Sequence, residues 1–182
     1  LMIHNKLIIS PLTTHIAVNK ITKIISQKFF LYNQILNIEQ TLRNDFNIIK
    51  PKFAISGLNP HCGENGNFGN EEIKIINPLI KDLKNKKIMI DGPFSADSIL
   101  LNNKIKKYDC FLFMYHDQAL IPFKYISKFK GINYTGNLDI IRTSPDHGTA
   151  YDITNLENVS YSAILNCFKL IKKIQKNRNK AI

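Results

Sequence analysis

Residues 53–72, which read FAISGLNPHCGENGNFGNEE, decide how the rest of the chain is interpreted. The stretch opens on a short apolar run, as a buried strand does, and continues into a turn with four glycines. Glu71 and Glu72 then lead an amphipathic run, and acidic residues are typical of the first turn of a helix. A strand, a glycine-rich loop and a helix in this order form a common ligand-binding junction of α/β proteins. Within the loop lies His61, whose imidazole can bind a metal ion or carry a proton.

Strands and helices alternate along the rest of the sequence. Short apolar runs bounded by turn residues predict further strands at residues 6–10, 87–90, 109–114, 131–135 and 140–143. Apolar residues at helical spacing predict one helix, or two with a break near Ser26, over 19–45, and further helices at 73–83, 120–126 and 160–175. We expect Pro78 to bend the 73–83 helix. The Asp-Gly-Pro triplet at 91–93 is expected to end the 87–90 strand. The alternation predicts an α/β fold with a mostly parallel sheet flanked by helices.

Three histidines lie just past predicted strands, at His15, His61 and His116. Because parallel strands end at the same edge of a sheet, these imidazoles could meet there and form a divalent-metal site with an open position for substrate. A single loop histidine is more often a surface residue, but the equivalent placement of three makes a metal site and surface positions equal alternatives. Asp97 and Asp117 could orient imidazoles or complete the metal shell, although either could instead cap a helix, Asp97 in FSADSIL above all.

Anion binding is the second kind of chemistry that the sequence suggests. The glycine-rich loop could hold a phosphate with its backbone N–H groups, but it matches neither of the common phosphate-loop patterns. Lys124, Asn133 and Arg142 could each bind an anionic substrate, and each could equally be a surface residue. Arg142 stands out because a planar guanidinium suits a carboxylate or phosphate better than an ammonium does.

Length and composition predict one globular domain that buries roughly 70% of its unfolded surface. The net charge of +11 invites a nucleic-acid-binding interpretation, but lysine supplies 22 of the 25 basic residues, and isoleucine and asparagine are similarly numerous. All three have codons rich in A and T, so a biased genome can account for the basicity. No apolar run approaches the length of a membrane span. Three cysteines without a CxxC pair favour a reducing, cytoplasmic setting.

Three segments, GLNPHCGENGNFGNEE, MYHDQALIPFKY and IRTSPDHGTAYDI, resemble in order and spacing the 4-hydroxythreonine-4-phosphate dehydrogenase family of vitamin B6 biosynthesis, and TTH at 13–15 matches as well. The resemblance covers essentially the whole chain, but only the carboxyl-terminal half of the family's usual sequence. It implies an isocitrate/isopropylmalate-dehydrogenase-like fold, truncated at the amino-terminal lobe. It also implies a homodimer, and a divalent metal (zinc, magnesium, manganese or cobalt) bound by three histidines at a site shared between subunits.

The resemblance also assigns roles to individual residues. The metal ligands would be His15, His61 and His116. The substrate contacts would be Lys124, Asn133 and Arg142. From their own chemistry, Lys124, Asp97 and Asp117 are predicted to act in catalysis. Asp146 and His147 either contact the cofactor, NAD or NADP, or form a tight turn, and we favour cofactor contact for His147.

The family oxidises 4-phosphooxy-L-threonine to 2-amino-3-oxo-4-phosphooxybutanoate, which loses carbon dioxide to give 3-amino-2-oxopropyl phosphate. We therefore expect residues 1–150 to form a metal-binding and dimerisation lobe, and residues 151–182 a helical segment that packs on the missing amino-terminal lobe. The partners would be a small phosphorylated amino acid and a second copy of the chain, with no nucleic acid and no membrane. Two alternatives are a truncated, inactive remnant and a basic nucleic-acid-binding or scaffold domain.

Overall fold

A computed structural model describes residues 1–27, 29–101, 105–146 and 161–179. Within these residues one mixed sheet runs in the order β4-β3-β5-β2-β1-β6-β7. The strands are β1 Met2–His4, β2 Leu7–Pro11, β3 Lys52–Ser56, β4 Met89–Phe94, β5 Cys110–Phe113, β6 Ile132–Thr135 and β7 Arg142–Pro145. Strands β4, β3, β5 and β2 pair in parallel, while β1 and β7 run against their neighbours. The predicted mostly parallel α/β sheet is confirmed.

Helices cover both faces of this sheet. They are α1 Ile21–Ile25, α2 Phe30–Phe46, α3 Asn77–Asn85, α4 His116–Ser127 and α5 Ser162–Arg178, with a π-helical turn, Glu72–Ile76, leading into α3. One buried cluster joins one sheet face to α1, α2, α3 and α5, and a second joins the other face to α4. Phe53 and Phe111 are almost completely buried, which explains why β3 and β5 read as unbroken apolar runs.

Several predicted boundaries differ from the observed ones. Over 19–45 the alternative of two helices with a break near Ser26 is confirmed, since α1 ends at Ile25 and α2 begins at Phe30. Strand β4 continues through Pro93 to Phe94 instead of ending at Asp91, because β4 lies at the edge of the described sheet, where proline's missing donor is tolerated. Helix α4 begins at His116 rather than at 120, so Pro122 lies inside it.

Hydrogen bonds to the buried residue Asp45 connect helix α5 to helix α2. Arg178 Nε donates to Asp45 Oδ1 at 2.6 Å, and the Tyr134 hydroxyl donates to Asp45 Oδ2. Asn177 Nδ2 also donates to the Asp45 carbonyl oxygen at 2.7 Å. Burial, and then the bond to Asp45, raise the pKa of Tyr134 well above its usual range. The division of the chain at residue 150, and a contact between 151–182 and a further lobe, stay predictions.

The cysteine side chains and the helices can be compared with what the composition predicted about disulfides and membrane spans. Cys62, Cys110 and Cys167 form no disulfide among the described residues. Burial raises the pKa of the Cys110 thiol to about 12, so that this thiol stays protonated. Among the described residues, no helix combines the length and the apolar character that crossing a membrane requires.

Candidate functional site

Two of the three predicted histidines meet where β2 and β5 end. The parallel ladder between these strands is extended by a 2.7 Å bond from Leu12 N to Phe113 O. The buried Thr13 hydroxyl then donates to Met114 O at 2.7 Å. Two residues beyond each of these bonded positions, the rings of His15 and His116 lie with their centroids 5.6 Å apart and tilted by 49°. Strand pairing therefore carries both imidazoles to one place.

Asp117 orients one imidazole of this pair. His116 Nδ1 lies 2.6 Å from Asp117 Oδ1, while the two side chains remain 40% and 67% exposed. With its proton on Nδ1, the His116 ring donates to the carboxylate and keeps the Nε2 lone pair for a ligand. This is the arrangement in which a carboxylate supports a metal-binding histidine.

A cavity of about 360 Å³ opens beside the histidine pair. Its wall includes His15 and His116 together with Asn133 from β6 and Asp146, the residue that follows β7. Asn133 is aligned with Met2 of β1 and Ser144 of β7, so the antiparallel part of the sheet places its exposed amide on this wall. The structure thus brings one predicted substrate residue to the two predicted metal ligands.

Lys124 reaches the same region through Asp146. Its ammonium nitrogen lies 3.8 Å from Asp146 Oδ1, where the Lys124 side chain is 35% exposed and that of Asp146 only 6%. Asp146 N donates to Gly131 O at 3.0 Å, which ties the end of β7 to the start of β6. The sequence suggested that Asp146 contacts the cofactor or forms a turn, and cofactor contact stays a prediction. Its pairing with Lys124 depends on tertiary structure.

Three other predicted residues lie elsewhere or outside the described part of the chain. Arg142 is exposed on β7 and donates to Thr135 Oγ1 at 3.0 Å. Asp97 is exposed in the turn after β4, two strands away from β5, or roughly 10 Å at the usual strand spacing. His147 falls outside the described residues.

His61 is carried by an unusual turn in the glycine-rich loop. Residues 61–65 all have positive φ, with values from 41° to 76°, and only one of the five is glycine. Left-handed backbone costs an ordinary residue about 1–2 kcal/mol, so this turn is held by contacts elsewhere in the loop. The side chain of Glu72, 2% exposed, accepts bonds of 2.8 Å from both Leu58 N and Asn59 N.

Gln118 links the base of this loop to the strand end that precedes His116. Its Oε1 accepts from Met114 N at 2.9 Å and from Ser56 Oγ at 3.1 Å, and its Nε2 donates to Gly57 O at 2.9 Å. Gln118 is the third residue of α4, the position from which a glutamine commonly reaches back to the residues before a helix. The glutamine of HDQ is therefore a sequence signal for the start of this helix.

Replacing Gln118 with leucine is expected to lower the free energy of unfolding by about 1–3 kcal/mol, because the partly buried groups it bonds lose their partner. Urea denaturation measures the difference. Gln40→Leu, at an exposed position of α2, is the matched control and should stay within about 0.5 kcal/mol of the wild type. Equal effects of the two substitutions would contradict a bridging role for Gln118.

The described side chains of a single chain supply some, but not all, of the ligands that a metal site requires. Two imidazoles 5.6 Å apart, one of them backed by a carboxylate, are ligands that zinc and related divalent ions accept. His61 follows β3, the neighbour of β5, at the same edge of the sheet. Within the described ranges of one chain, however, no group of three or more His, Cys, Asp or Glu side chains is gathered tightly enough to hold an ion.

Comparison with known proteins gives a consistent result. The model of a family described as pyridoxal phosphate biosynthetic protein PdxA matches residues 1–171. A 4-hydroxythreonine-4-phosphate dehydrogenase of Desulforapulum autotrophicum is 41% identical over 170 residues, which are 93% of this chain and 50% of the relative. The enzyme of the same description from Wigglesworthia glossinidia brevipalpis is 41% identical over 98% of this chain and 54% of its own.

A solved structure shares the fold. The crystal structure of 4-hydroxythreonine-4-phosphate dehydrogenase from Klebsiella pneumoniae superposes with a TM-score of 0.79 at 32% identity, over 97% of this chain and 53% of that one. The chain spans about half the length of the curated relatives it matches.

Proposed function

The chain belongs to the PdxA family of pyridoxal phosphate biosynthetic proteins, and we propose that it acts as a metal- and NAD(P)-dependent 4-hydroxythreonine-4-phosphate dehydrogenase. The observation that carries the proposal is the cavity lined by His15, His116, Asn133 and Asp146, with Lys124 paired to Asp146. The cavity wall supplies imidazoles and an amide, and Lys124 brings a cation next to it through Asp146. These are groups suited to hold a hydroxy amino acid with an anionic end.

The histidines would hold a divalent ion, zinc, magnesium, manganese or cobalt. His15 and His116 supply two imidazoles from one chain, and His61 supplies a third, with one of the three coming from the second subunit of a homodimer. Such an ion supplies Lewis acidity toward the substrate hydroxyl and the keto group that replaces it. Asp117 keeps the His116 ring in one tautomer and orientation, and Asp97 is proposed to support the site after the subunits associate.

Lys124, positioned by Asp146, takes part in the transfer of the substrate's hydroxyl proton. Asp146, nearly buried, holds the Lys124 ammonium at 3.8 Å and so fixes where Nζ points. In the reaction the ammonium first gives a proton to solvent, and the neutral amine of Lys124 then accepts the hydroxyl proton at Nζ. Asn133 from the cavity wall, and Arg142 from β7, orient the anionic end of the substrate so that its reacting carbon faces the nicotinamide.

The overall change is the oxidation of 4-phosphooxy-L-threonine to 2-amino-3-oxo-4-phosphooxybutanoate. The substrate loses two electrons and two protons; NAD or NADP takes both electrons with one proton, and the other proton goes to solvent. The resulting 3-keto acid then releases carbon dioxide and gives 3-amino-2-oxopropyl phosphate. His147 is proposed to contact the cofactor.

Two measurements test the proposal: substrate binding by calorimetric titration and cofactor reduction by absorbance. Protein that has been stripped with a chelator and reloaded with cobalt or zinc is titrated with 4-phosphooxy-L-threonine, and reduced nicotinamide is followed by its absorbance. Saturable substrate binding that requires the metal, with metal-dependent reduction of the cofactor, is expected. Failure to bind any of the four ions, with salt-sensitive binding to RNA instead, would favour a basic nucleic-acid-binding domain.

The Lys124→Met variant is expected to lower kcat by about 10²–10⁴-fold with little change in KM, because methionine keeps the stem of the side chain but cannot exchange a proton. Steady-state kinetics on the metal-loaded protein measure both constants. Lys81→Met, on the exposed side of α3, is the matched control. A raised KM with an unchanged kcat would make Lys124 a binding residue only.

A further inference from the structure

We propose that Glu72 is the positioning residue for His61, acting as an anion built into the glycine-rich loop. Its carboxylate takes the place that a bound phosphate takes in other glycine-rich loops, and the loop closes around it. The consequence drawn for metal binding rests on the proposed function, but the structural role of Glu72 stands on the contacts described below.

The first support is the set of groups that point at the carboxylate. Oε1 accepts from Leu58 N and Asn59 N, each at 2.8 Å, and Oε2 accepts from Asn59 Nδ2 at 2.9 Å. Two consecutive backbone N–H groups aimed at one oxygen form the concave donor pair that binds anions in proteins. Glu72 makes no ion pair with a lysine, arginine or histidine among the described residues, so N–H dipoles alone compensate its charge.

The second support is the close approach of the loop to the carboxylate. A Cβ atom added to Gly57 would lie 2.9 Å from Glu72 Oε1, and one added to Gly63 would lie 2.8 Å from Oε2. At both positions a side chain would press on the bonded Glu72 carboxylate, and at Gly63 it would also lie 2.8 Å from the carbonyl oxygen of Gly69. The spacing of Gly57 and Gly63 reflects a side chain of this chain rather than the shape of a nucleotide.

This arrangement argues against a phosphate cradle at the start of the glycine-rich loop. The N–H groups of Leu58 and Asn59, which would have to bind a phosphate, are already directed at Glu72. The loop therefore has no vacant donor pair at its entry, and we expect phosphate groups of substrate or cofactor to bind elsewhere.

His61 lies between the two points at which the loop contacts Glu72. Asn59 is bonded to the carboxylate on one side of it, and Gly63 packs against the same carboxylate on the other. The backbone of His61 has φ 49° and ψ 31°, a left-handed conformation that histidine adopts only when its surroundings impose it. With the residues on both sides held, the direction in which His61 leaves the backbone is held as well.

Glu72→Gln and Glu72→Ala test the proposal, with Glu64→Gln as the matched control. Glu64 belongs to the same loop and has an exposed side chain, so its substitution makes the same change of charge without touching the carboxylate site. Two quantities are measured on the full chain: the exchange rates of the Leu58 and Asn59 amide hydrogens, and the affinity for cobalt. Circular dichroism confirms that each variant is folded, and the glutamine variant keeps the shape of the side chain if alanine prevents folding.

Faster exchange of both amides is expected in the Glu72 variants and not in Glu64→Gln. Cobalt affinity is expected to fall about 10–100-fold, as it does when an outer-shell partner of a ligand is removed. In a His61→Ala background, Glu72→Gln should cause no further loss of cobalt affinity, because Glu72 acts through His61.

The two measurements separate the possible failures. Unchanged amide exchange in the folded Glu72→Gln variant would overturn the positioning role, whatever the metal data. Faster exchange with unaltered cobalt affinity, or an additive loss in the His61→Ala background, would restrict Glu72 to a structural role and overturn its link to the site. A wild-type chain that binds no cobalt would refute the proposed function and with it the link to metal binding, while the exchange data would still decide the role of Glu72 in the loop.

Discussion

The His116→Ala variant is expected to lose more than about 100-fold of its affinity for divalent metal and all detectable turnover. His116 is the better organised imidazole of the observed pair, since Asp117 fixes its ring at 2.6 Å. Removing even an outer-shell partner of a metal ligand costs about 10–100-fold in affinity, so loss of the ligand itself should cost more. Competition with a metal-sensitive dye measures the affinity.

His4→Ala is the matched control for this prediction. His4 ends β1, which runs against β2, so it lies at the opposite edge of the sheet from His116. The control variant should keep wild-type affinity and turnover. Equal metal binding by His116→Ala and the wild type would remove His116 from the site.

The Asp45→Ala variant is expected to lower the free energy of unfolding by about 3–5 kcal/mol, the usual result of removing one partner from a buried ion pair. The Asp45 side chain is 3% exposed and bonds to Arg178 Nε at 2.6 Å. It also accepts from Tyr134, so the substitution leaves Arg178 Nε and the Tyr134 hydroxyl without their acceptor, while Arg178 Nη1 keeps its bond to Asp139 O. Urea denaturation measures the change.

Two comparisons sharpen this result. Asp82→Ala, on the exposed side of α3, should change stability by no more than about 0.5 kcal/mol. Asp45→Asn should lie between, because an amide oxygen can still accept one of the two bonds. A loss below about 1 kcal/mol for Asp45→Ala would show that α5 is held by its apolar contacts alone.

The proximity of His15 and His116 could be predicted from the sequence because it depends only on the parallel pairing of two strands. Two apolar runs that pair in parallel end at the same edge, and each histidine follows its run within a few residues. The alternation of runs likewise predicted the α/β sheet. Asn133 at the cavity could not be derived in the same way, because its place depends on the antiparallel register of β1, β6 and β7.

The buried carboxylates could not be recognised from sequence. Asp45 and Glu72 both stand in amphipathic helical runs, where acidic residues usually face water. Their partners are distant in sequence or are backbone N–H groups: Arg178 lies 133 residues from Asp45, and Leu58 offers only its main chain to Glu72. The sequence likewise drew attention to Arg142, whereas the arginine that binds a buried carboxylate is Arg178.

X-ray absorption at the cobalt edge of the cobalt-loaded chain tests the central claim most directly. The claim is that the carboxyl ends of β2 and β5 bring His15 and His116 together as ligands of a divalent ion. One ion per chain with at least two imidazole nitrogens in its coordination shell is the predicted result, and the imidazole signal should weaken in His116→Ala but not in His4→Ala. Substoichiometric cobalt, or a shell of oxygen ligands without imidazole, would contradict it.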